Sequence, residues 1–458
     1  MPAPVRDRRA PRRPRPDVAR RTAYELLRAV AERDAYANLV LPGLLRERGL
    51  DPRDAAFTTE LGYGTLRWRG TYDAVVAACV DRPLDQVDPP VLDVLRLGVH
   101  QLLGMRVATH AAVSATVELA RAVVGEGRGR FVNAVLRRVA TRDLEGWLAE
   151  LAPPAERDPV GRLALVHAHP RWVVEALRDA LDGDLEETAL ALAADNVAPT
   201  VTLAARPGRS TREELMVAGA TPARWSPYGA VLAAGDPLAV PAIAEGRAGV
   251  QDEGSQLVAL AAALVPVEGR DTVWLDGCAG PGGKAALLGG LAAERGARLV
   301  AAELRPHRAR LVAASVDAST TVVMADGTVP PWRAGAFDRV VVDVPCSGLG
   351  ALRRRPEARW RRTAADVTRL GPLQRALLRC ALDGVRPGGV VAYATCSPHP
   401  AETRTVVADV VGSRDDVELV DARPYLPGVE ALGPGPDVQL WPQRHATDAM
   451  YLALLRRR

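Results

Sequence analysis

A chain of 458 residues is too long for one ordinary hydrophobic core and long enough for two or three domains that need no covalent staples. Hydrophobic residues make up 48% of it, yet no uncharged apolar run reaches the roughly 18 to 20 residues of a membrane span. The basic opening MPAPVRDRRAPRRPRP lacks the apolar stretch of a secretory signal, so a cytoplasmic protein with no membrane partner is expected.

The formal charge is only +4, but the basic residues are almost all arginine. They gather in the N-terminal tail, at Arg353 to Arg362 and at Arg456 to Arg458. Phosphate contacts and a general coding bias toward arginine account for this about equally well. Lys284 is the only lysine, which marks a position that needs a compact ammonium rather than a planar fork. Five cysteines, none in a CxxC pair, are too sparse for a disulfide framework or a structural zinc site. No metal is expected, and the thiols are expected to be reduced and free to act as nucleophiles.

In chain order, residues 1–16 hold almost nothing to bury and read as a disordered basic tail. From Asp17, a good N-cap, Val18, Thr22, Ala23, Leu26, Leu27 and Val30 recur at helical spacing. Further helices are predicted from Pro52 to Trp68, from Pro89 and Pro90 through Leu102, from Val113 to Val124 and from Phe131 to Val139. Residues 17–145 thus form an expected all-helical domain. A Pro-rich acidic stretch around Pro153 to Pro159 reads as a linker, and residues 160–243 as a small α/β module with a strand near Thr200 to Ala204.

From residue 244 to 458 the pattern changes to short β-rich runs alternating with helices. Strands are predicted at 272–276, 298–303, 321–324, 339–344 and 389–395, the signature of a doubly wound sheet. Ligands of such sheets bind at the carboxyl ends of the strands, where each polar group of interest falls.

The first strand runs into Cys278, Ala279, Gly280, Pro281, Gly282, Gly283 and Lys284, a tight turn opening a helix to about Leu291. Glycines there let backbone N–H groups approach a ligand. Alone, such a turn suits a nucleotide, a dinucleotide or no ligand; it lacks both GxxxxGK[ST] and GxGxxG, which disfavours a phosphate cradle. Glu303 ends the next strand, at the distance where doubly wound folds place an acid on ribose hydroxyls. Asp326 follows the third strand, placed to accept from an adenine amino group, and Asp343 follows the fourth. Together these acids outline an adenosyl pocket.

Cys346 follows the fourth strand in DVPCSGLG, and Cys396 ends the later strand in YATCSP. If those strands are neighbours, both thiols reach one cleft. A lone strand-end cysteine is more often an inert small hydrophobe, the reading that Cys79 and Cys380 receive within their helical patterns. Around the other two, Ser347, Gly348, Ser397 and nearby arginines supply polar groups able to lower a thiol pKa. Two thiols in one cleft suit methylation at cytosine carbon 5. A thiolate adds to carbon 6, an acid such as Asp343 hydrogen-bonds N3, and a second thiol assists release.

The motifs LDGCAGPGGK, DVPCSGLGALRRRPE and YATCS together resemble the NOL1/NOP2/Sun family of RNA cytosine-5 methyltransferases over roughly residues 245–458. QDEGSQ at 251–256 and HATDAMY at 445–451 look like its flanking segments. TELGYGTLR at 59–67 and FVNAVLRR at 131–138 resemble the NusB-type RNA-binding fold, a pairing similar to the bacterial RsmB (Sun/Fmu) branch. The resemblance implies a multidomain protein, a NusB-like all-α domain before a Rossmann-like (class I) S-adenosylmethionine-dependent methyltransferase domain. It also implies S-adenosylmethionine on Cys278 to Lys284, Glu303, Asp326 and Asp343, the nucleophile at Cys396 and release assisted by Cys346. The implied partner is RNA, small-subunit ribosomal RNA in that branch, and nothing in the sequence demands more than a monomer.

Two departures stand out. Gly280 replaces an Ala of the family loop, a change expected barely to perturb the turn. After ThrCysSer this chain has Ala401, Glu402 and Thr403 where the family has GluAsn, which leaves Glu402 a partial match. Transfer RNA is the alternative substrate, and a non-catalytic RNA-binding assembly factor the alternative class. A DNA cytosine-5 methyltransferase takes its nucleophile from ProCys, needs no ThrCysSer, and must flip its base from a duplex.

Overall fold

The computed structural model describes residues 17–33 and 35–458, so the tail expected over 1–16 lies outside the described residues. The chain forms two compact units: the residues up to Pro170 with Arg355–Glu357, and Arg171–Arg354 with Ala358–Arg458.

The first unit is helical, with α1 (Val18–Glu32), α2 (Ala37–Arg48), α3 (Pro52–Arg67), α4 (Arg69–Cys79), α5 (Pro89–Leu103), α6 (Thr109–Val123), α7 (Glu126–Val139), α8 (Leu144–Leu151) and α9 (Pro159–Val166). The Asp17 carboxylate caps α1 by accepting from Ala19 N, and Asp51 caps α3 by accepting from Asp54 N. The α1 stripe Ala23, Leu26, Leu27 and Val30 is buried, as its spacing requires. Helix α5 is buried on every side from Val91 to Gln101, which makes it the axis of the unit. Leu95, Leu97, Leu61 and Leu136 are fully buried, each adding about 1.5–3 kcal/mol of apolar burial.

The second unit opens with α10 (Arg171–Ala180) and α11 (Leu185–Asp195). A four-stranded antiparallel sheet follows, built from β1 (Val201–Ala205), β2 (Thr221–Pro222), β3 (Gly229–Leu232) and β4 (Ala248–Val250) in the order β2-β3-β1-β4. Short helices α12 (Arg212–Val217) and α13 (Pro241–Ala244) lie between its strands in sequence, and Leu203, Ala205, Leu215 and Ala230 are fully buried in its core.

Helix α14 (Glu253–Leu264) leads into the main sheet. Its strands are β5 (Val273–Asp276), β6 (Arg298–Glu303), β7 (Thr321–Met324), β8 (Phe337–Asp343), β9 (Val385–Thr395), β10 (Val417–Val420), β11 (Val438–Gln439) and β12 (Tyr451–Arg457). Helices α15 (Gly283–Glu294), α16 (Pro306–Ser315), α17 (Ala358–Arg361), α18 (Ala364–Gly384) and α19 (Arg404–Val411) connect them. The order is β10-β12-β9-β8-β5-β6-β7, with β11 paired to β12. Strands β7, β6, β5, β8 and β9 are parallel, while β12 runs antiparallel to both β9 and β10. The central strands are near-continuous Val, Ala and Leu because helices cover both faces of the sheet. The chain reverses strand order at β5, so the crevice beyond the carboxyl ends of β5, β6 and β8 is the site such a fold presents to a ligand.

Candidate active site

All predicted site residues lie at that edge: Glu303 and Asp343 end β6 and β8, Gly283 and Lys284 open α15, and the others sit on the loops following β5, β7, β8 and β9. Strands β8 and β9 are hydrogen-bonded neighbours with Asp343 opposite Ala394, so their following loops leave the sheet side by side. The consequence is direct contact: Cys346 Sγ and Cys396 Sγ are 3.4 Å apart. Cys79 and Cys380 lie in the helices α4 and α18.

Lys284, in the first turn of α15, reaches across the crevice. Its Nζ donates to Asp343 Oδ2 at 2.7 Å and to Ser255 Oγ at 2.7 Å. Burial works against its charge, but Asp343 outweighs that cost and holds the ammonium above its ordinary pKa. The S–H of Cys346 bonding to Cys396 lowers the Cys396 pKa against the opposing effect of burial, and Lys284 adds to the lowering. Cys346 is displaced upward by the same bond, by burial and by the nearby Glu402. The pair is therefore polarised toward Cys346 donating and Cys396 accepting.

The serines beside the thiols act differently from the expectation. Ser347 Oγ donates to Glu402 Oε2 at 2.5 Å, and the Ser347 and Ser397 hydroxyls are 3.1 Å apart. The Ser347 hydroxyl serves Glu402 and the Ser397 hydroxyl serves Ser347, while the sulfur polarity comes from the thiol–thiol bond and Lys284.

In the β5–α15 turn, Gly282 sits at φ +117°, where a Cβ would stand 2.7 Å from the Ser315 Cβ. Gly280 N donates to Glu303 Oε2 at 3.1 Å, and Arg305 N donates to Glu303 Oε1 at 2.8 Å. A Cβ at position 280 would lie 2.1 Å from Glu303 Oε2, the far end of a flexible side chain, so the Gly280 departure bears on that carboxylate rather than on the turn's backbone. It lets the carboxylate fold back onto the turn, a position that Ala would push it out of.

Burial and the neighbouring acids push the Cys278 thiol up, leaving it neutral. Asp326 is exposed and accepts from Thr328 N and Oγ1 at 2.9 and 2.6 Å, bonds that lower its pKa. Leu304, Met324 and Val329 stand exposed beside Glu303 and Asp326, an apolar rim in a crevice of acids.

Three groups escaped the sequence reading. Asp276, the last residue of β5, is fully buried, and burial raises its pKa to about 7. Its Oδ1 accepts from Cys278 N at 3.3 Å, whereas the buried Oδ2 has no protein partner. Such an acceptor awaits a donor-bearing ligand. Ser255 sits in the QDEGSQ segment, which sequence marked only as flanking. The third is a buried ion cluster in which Arg353 reaches Asp252 at 2.9 Å and Asp448 at 3.2 Å while Arg354 pairs with Asp448. It binds the loop after Cys346 to the 251–256 and 445–451 segments.

Some of the arginines in the sequence clusters at Arg353 to Arg362 and Arg456 to Arg458 are engaged within the protein. The Arg353 side chain is 12% exposed and internally paired, and Arg359 is fully buried, donating to Asn196 Oδ1 and Asp195 O. Arg457 pairs with Asp416, and Arg456 and Arg458 with Glu418.

A doubly wound sheet with acids at the carboxyl ends of its strands beside a pair of contacting thiols has the architecture of a class I S-adenosylmethionine-dependent methyltransferase. Residues 261–456 match the family described as 16S rRNA methyltransferase RsmB/F, and residues 17–141 match the NusB family. The chain is 55% identical over 98% of both chains to the putative methyltransferase Rv1407 of Mycobacterium tuberculosis. It is 35% identical to the ribosomal RNA small subunit methyltransferase B of Pseudomonas putida, over 85% of this chain and 87% of that one. The crystal structure of PH0851 shares the fold with a TM-score of 0.79 at 19% identity, covering 97% of this chain and 99% of that one. NSun6 from Pyrococcus horikoshii does so at 0.54 and 17%, over 64% and 99%. The protein belongs to the RsmB/F methyltransferase family, with a NusB domain ahead of its catalytic domain.

Proposed function

We propose that the protein methylates carbon 5 of a cytosine in RNA, with Cys396 as covalent nucleophile and small-subunit ribosomal RNA as substrate. The observation that carries this reading is the polarised Cys346–Cys396 pair, 3.4 Å apart at the mouth of the crevice. Relatives whose names specify ribosomal RNA of the small subunit support the substrate class.

The crevice fits S-adenosylmethionine: the unpartnered Asp276 Oδ2 suits a cationic donor, and Glu303 and Asp326 offer acceptors beside the apolar rim. The residues that would hold it are the turn Cys278, Ala279, Gly280, Pro281, Gly282, Gly283 and Lys284, with Glu303, Asp326 and Asp343. When bound it supplies an electrophilic methyl group.

The chain's own residues do the rest. The Cys396 thiolate adds to carbon 6, which makes carbon 5 nucleophilic. Asp343, steadied by Lys284, bonds the N3 edge of the base. Cys346, once its proton has passed to water, takes the carbon 5 proton; the carbon 5–carbon 6 double bond re-forms and Cys396 leaves as a thiolate. Unpaired RNA bases enter such a cleft without flipping from a duplex, and the NusB domain is the expected RNA-binding module. The protein is expected to act in the cytoplasm as a monomer.

The test is methyl transfer from labelled S-adenosylmethionine to ribosomal RNA lacking the modification, followed by denaturing gels. Wild type transfers label, Cys346→Ser accumulates a covalent RNA adduct, and Cys396→Ser gives neither. Activity surviving in Cys396→Ser with Cys346→Ser dead and adduct-free would reverse the roles. A silent wild type would refute the ribosomal RNA assignment and turn attention to transfer RNA.

A further inference from the structure

The two cysteine loops are joined by a buried clasp centred on Glu402, which ends a short 3-10 turn from Pro400 and is fully buried. Its Oε1 accepts from Ser347 N at 2.8 Å and Gln374 Nε2 at 3.1 Å, and its Oε2 accepts from the Ser347 hydroxyl at 2.5 Å. A hydroxyl has one proton, and Ser347 gives its own to Glu402. The Ser347–Ser397 bond at 3.1 Å must then be donated by Ser397, whose Oγ in turn accepts from His399 N at 3.2 Å. Ser347 follows Cys346 and Ser397 follows Cys396, so every bond in this chain bears on a backbone that carries one of the sulfurs. Tyr393 OH donates to the Glu402 carbonyl at 2.7 Å, and Gln374 Nε2 also donates to Pro345 O at 2.9 Å, which pins the clasp to β9 and α18.

We propose that Glu402 is a positioning residue for the reaction: through Ser347 and Ser397 it fixes the approach of Cys346 to Cys396 and makes Cys346 the donor of the pair. The inference rests on the reading of Cys396 and Cys346 as the reacting thiols. Charge placement agrees with it. Cys346 faces Glu402, Asp343 and Tyr393, whereas Cys396 faces Lys284, Arg354, Asp343 and Asp448. The negative charge of Glu402 thus bears on the sulfur that keeps its proton, and the ammonium of Lys284 on the one that loses it.

Glu402→Gln keeps the shape and reverses the order of the clasp. With the amide oxygen facing the two N–H donors, its NH2 group meets Ser347 Oγ, which must then accept and send its own proton toward Ser397. Ser347→Ala is a second, milder variant that keeps the backbone bond.

The experiment compares iodoacetamide alkylation of Cys396 and Cys346 by peptide mass spectrometry across pH, in wild type, Glu402→Gln and Ser347→Ala without RNA. S-adenosylmethionine binding is measured alongside, and kcat and KM on RNA afterwards. Wild type is expected to label Cys396 in preference to Cys346, with a midpoint below the ordinary thiol range. In Glu402→Gln that preference is expected to fall about tenfold, the midpoint to rise, and kcat to drop about tenfold to a hundredfold, with cofactor affinity and KM unchanged. Ser347→Ala is expected to shift the same way by less. A wild-type preference and pH profile retained in both variants would overturn the proposal and leave the thiol roles intact. The absence of any preference in wild type would overturn both.

Discussion

Lys284 Nζ and Asp343 Oδ2 are 2.7 Å apart, joining the first turn of α15 to the end of β8 across the crevice. The pair ties the helix that follows the glycine-rich turn to the strand that leads into the Cys346 loop. Removing one partner of such a pair leaves the other's charge uncompensated, at a cost on the order of 3 kcal/mol. Lys284→Ala is therefore expected to weaken S-adenosylmethionine binding at least about tenfold by calorimetry and to lower the thermal midpoint. Lys284→Arg is expected to rescue neither, because a planar fork does not meet Ser255 and Asp343 as a compact ammonium does. Unchanged affinity in Lys284→Ala would make the pair a purely structural strut.

Gly350 is a second point of close approach. Its N–H donates to Cys396 O at 2.9 Å and its carbonyl accepts from Ala449 N at 2.9 Å. A Cβ there would stand 2.2 Å from Ala449 O and 2.9 Å from Cys396 O, both backbone atoms that cannot swing away. Gly350→Ala is expected to cost about 1–3 kcal/mol in urea unfolding and to cut turnover, because the Cys396 carbonyl loses its partner. Gly127→Ala, with open space at its Cβ, is the control and is expected to change neither.

The parts legible in sequence were those that local pattern dictates. The Val- and Ala-rich runs marked β6 and β7 at their observed bounds, and Pro89 with Pro90 marked the start of α5. Where chain partners decide, the pattern failed. Strand β9 begins at Val385 rather than at the predicted Gly389, because a register shift against Phe337 and Arg339 absorbs the extra residues. Helix α7 begins at Glu126, five residues before the predicted Phe131, after Gly125 turns the chain at φ +98°. The antiparallel edge of β10, β11 and β12 carries no helix-alternation signal and went unread. The strand-end thiols were visible because residue type and position sufficed. The roles of Glu402, Ser255 and Asp276 were not, since each is defined by atoms 29 to 55 residues away or by the lack of a partner.

The Arg353 cluster yields a stability prediction. Asp252 and Asp448 are each 2% exposed, and Arg353 bridges them. Burial and the facing Asp252 raise the Asp448 pKa, and the arginines oppose that rise. Arg353→Ala leaves two buried carboxylates sharing Arg354, so a loss of about 3–5 kcal/mol is expected in urea unfolding. Arg353→Met, of similar length, is expected to fare no better because the acids remain. A loss below about 1 kcal/mol, the range of exposed pairs, would show that the cluster is wet.

Asp276 makes the stability of the cofactor-free protein depend on pH. Its folded pKa is about 7 against an ordinary 3.8, because burial penalises the charged form. The sign follows from proton binding: between those two values the folded state holds a proton that the unfolded state has lost. The contribution is fully present below about pH 3.8 and is lost as pH rises through about 7, an amount on the order of 4 kcal/mol. Asp276→Asn, neutral at every pH, is expected to remove this part of the slope when urea midpoints are compared at pH 5 and pH 8. S-adenosylmethionine is expected to reduce the slope in wild type by giving the ionised Oδ2 a cationic neighbour. A wild-type slope that survives in Asp276→Asn would assign the titration to other groups and leave the unpartnered oxygen with a purely packing role.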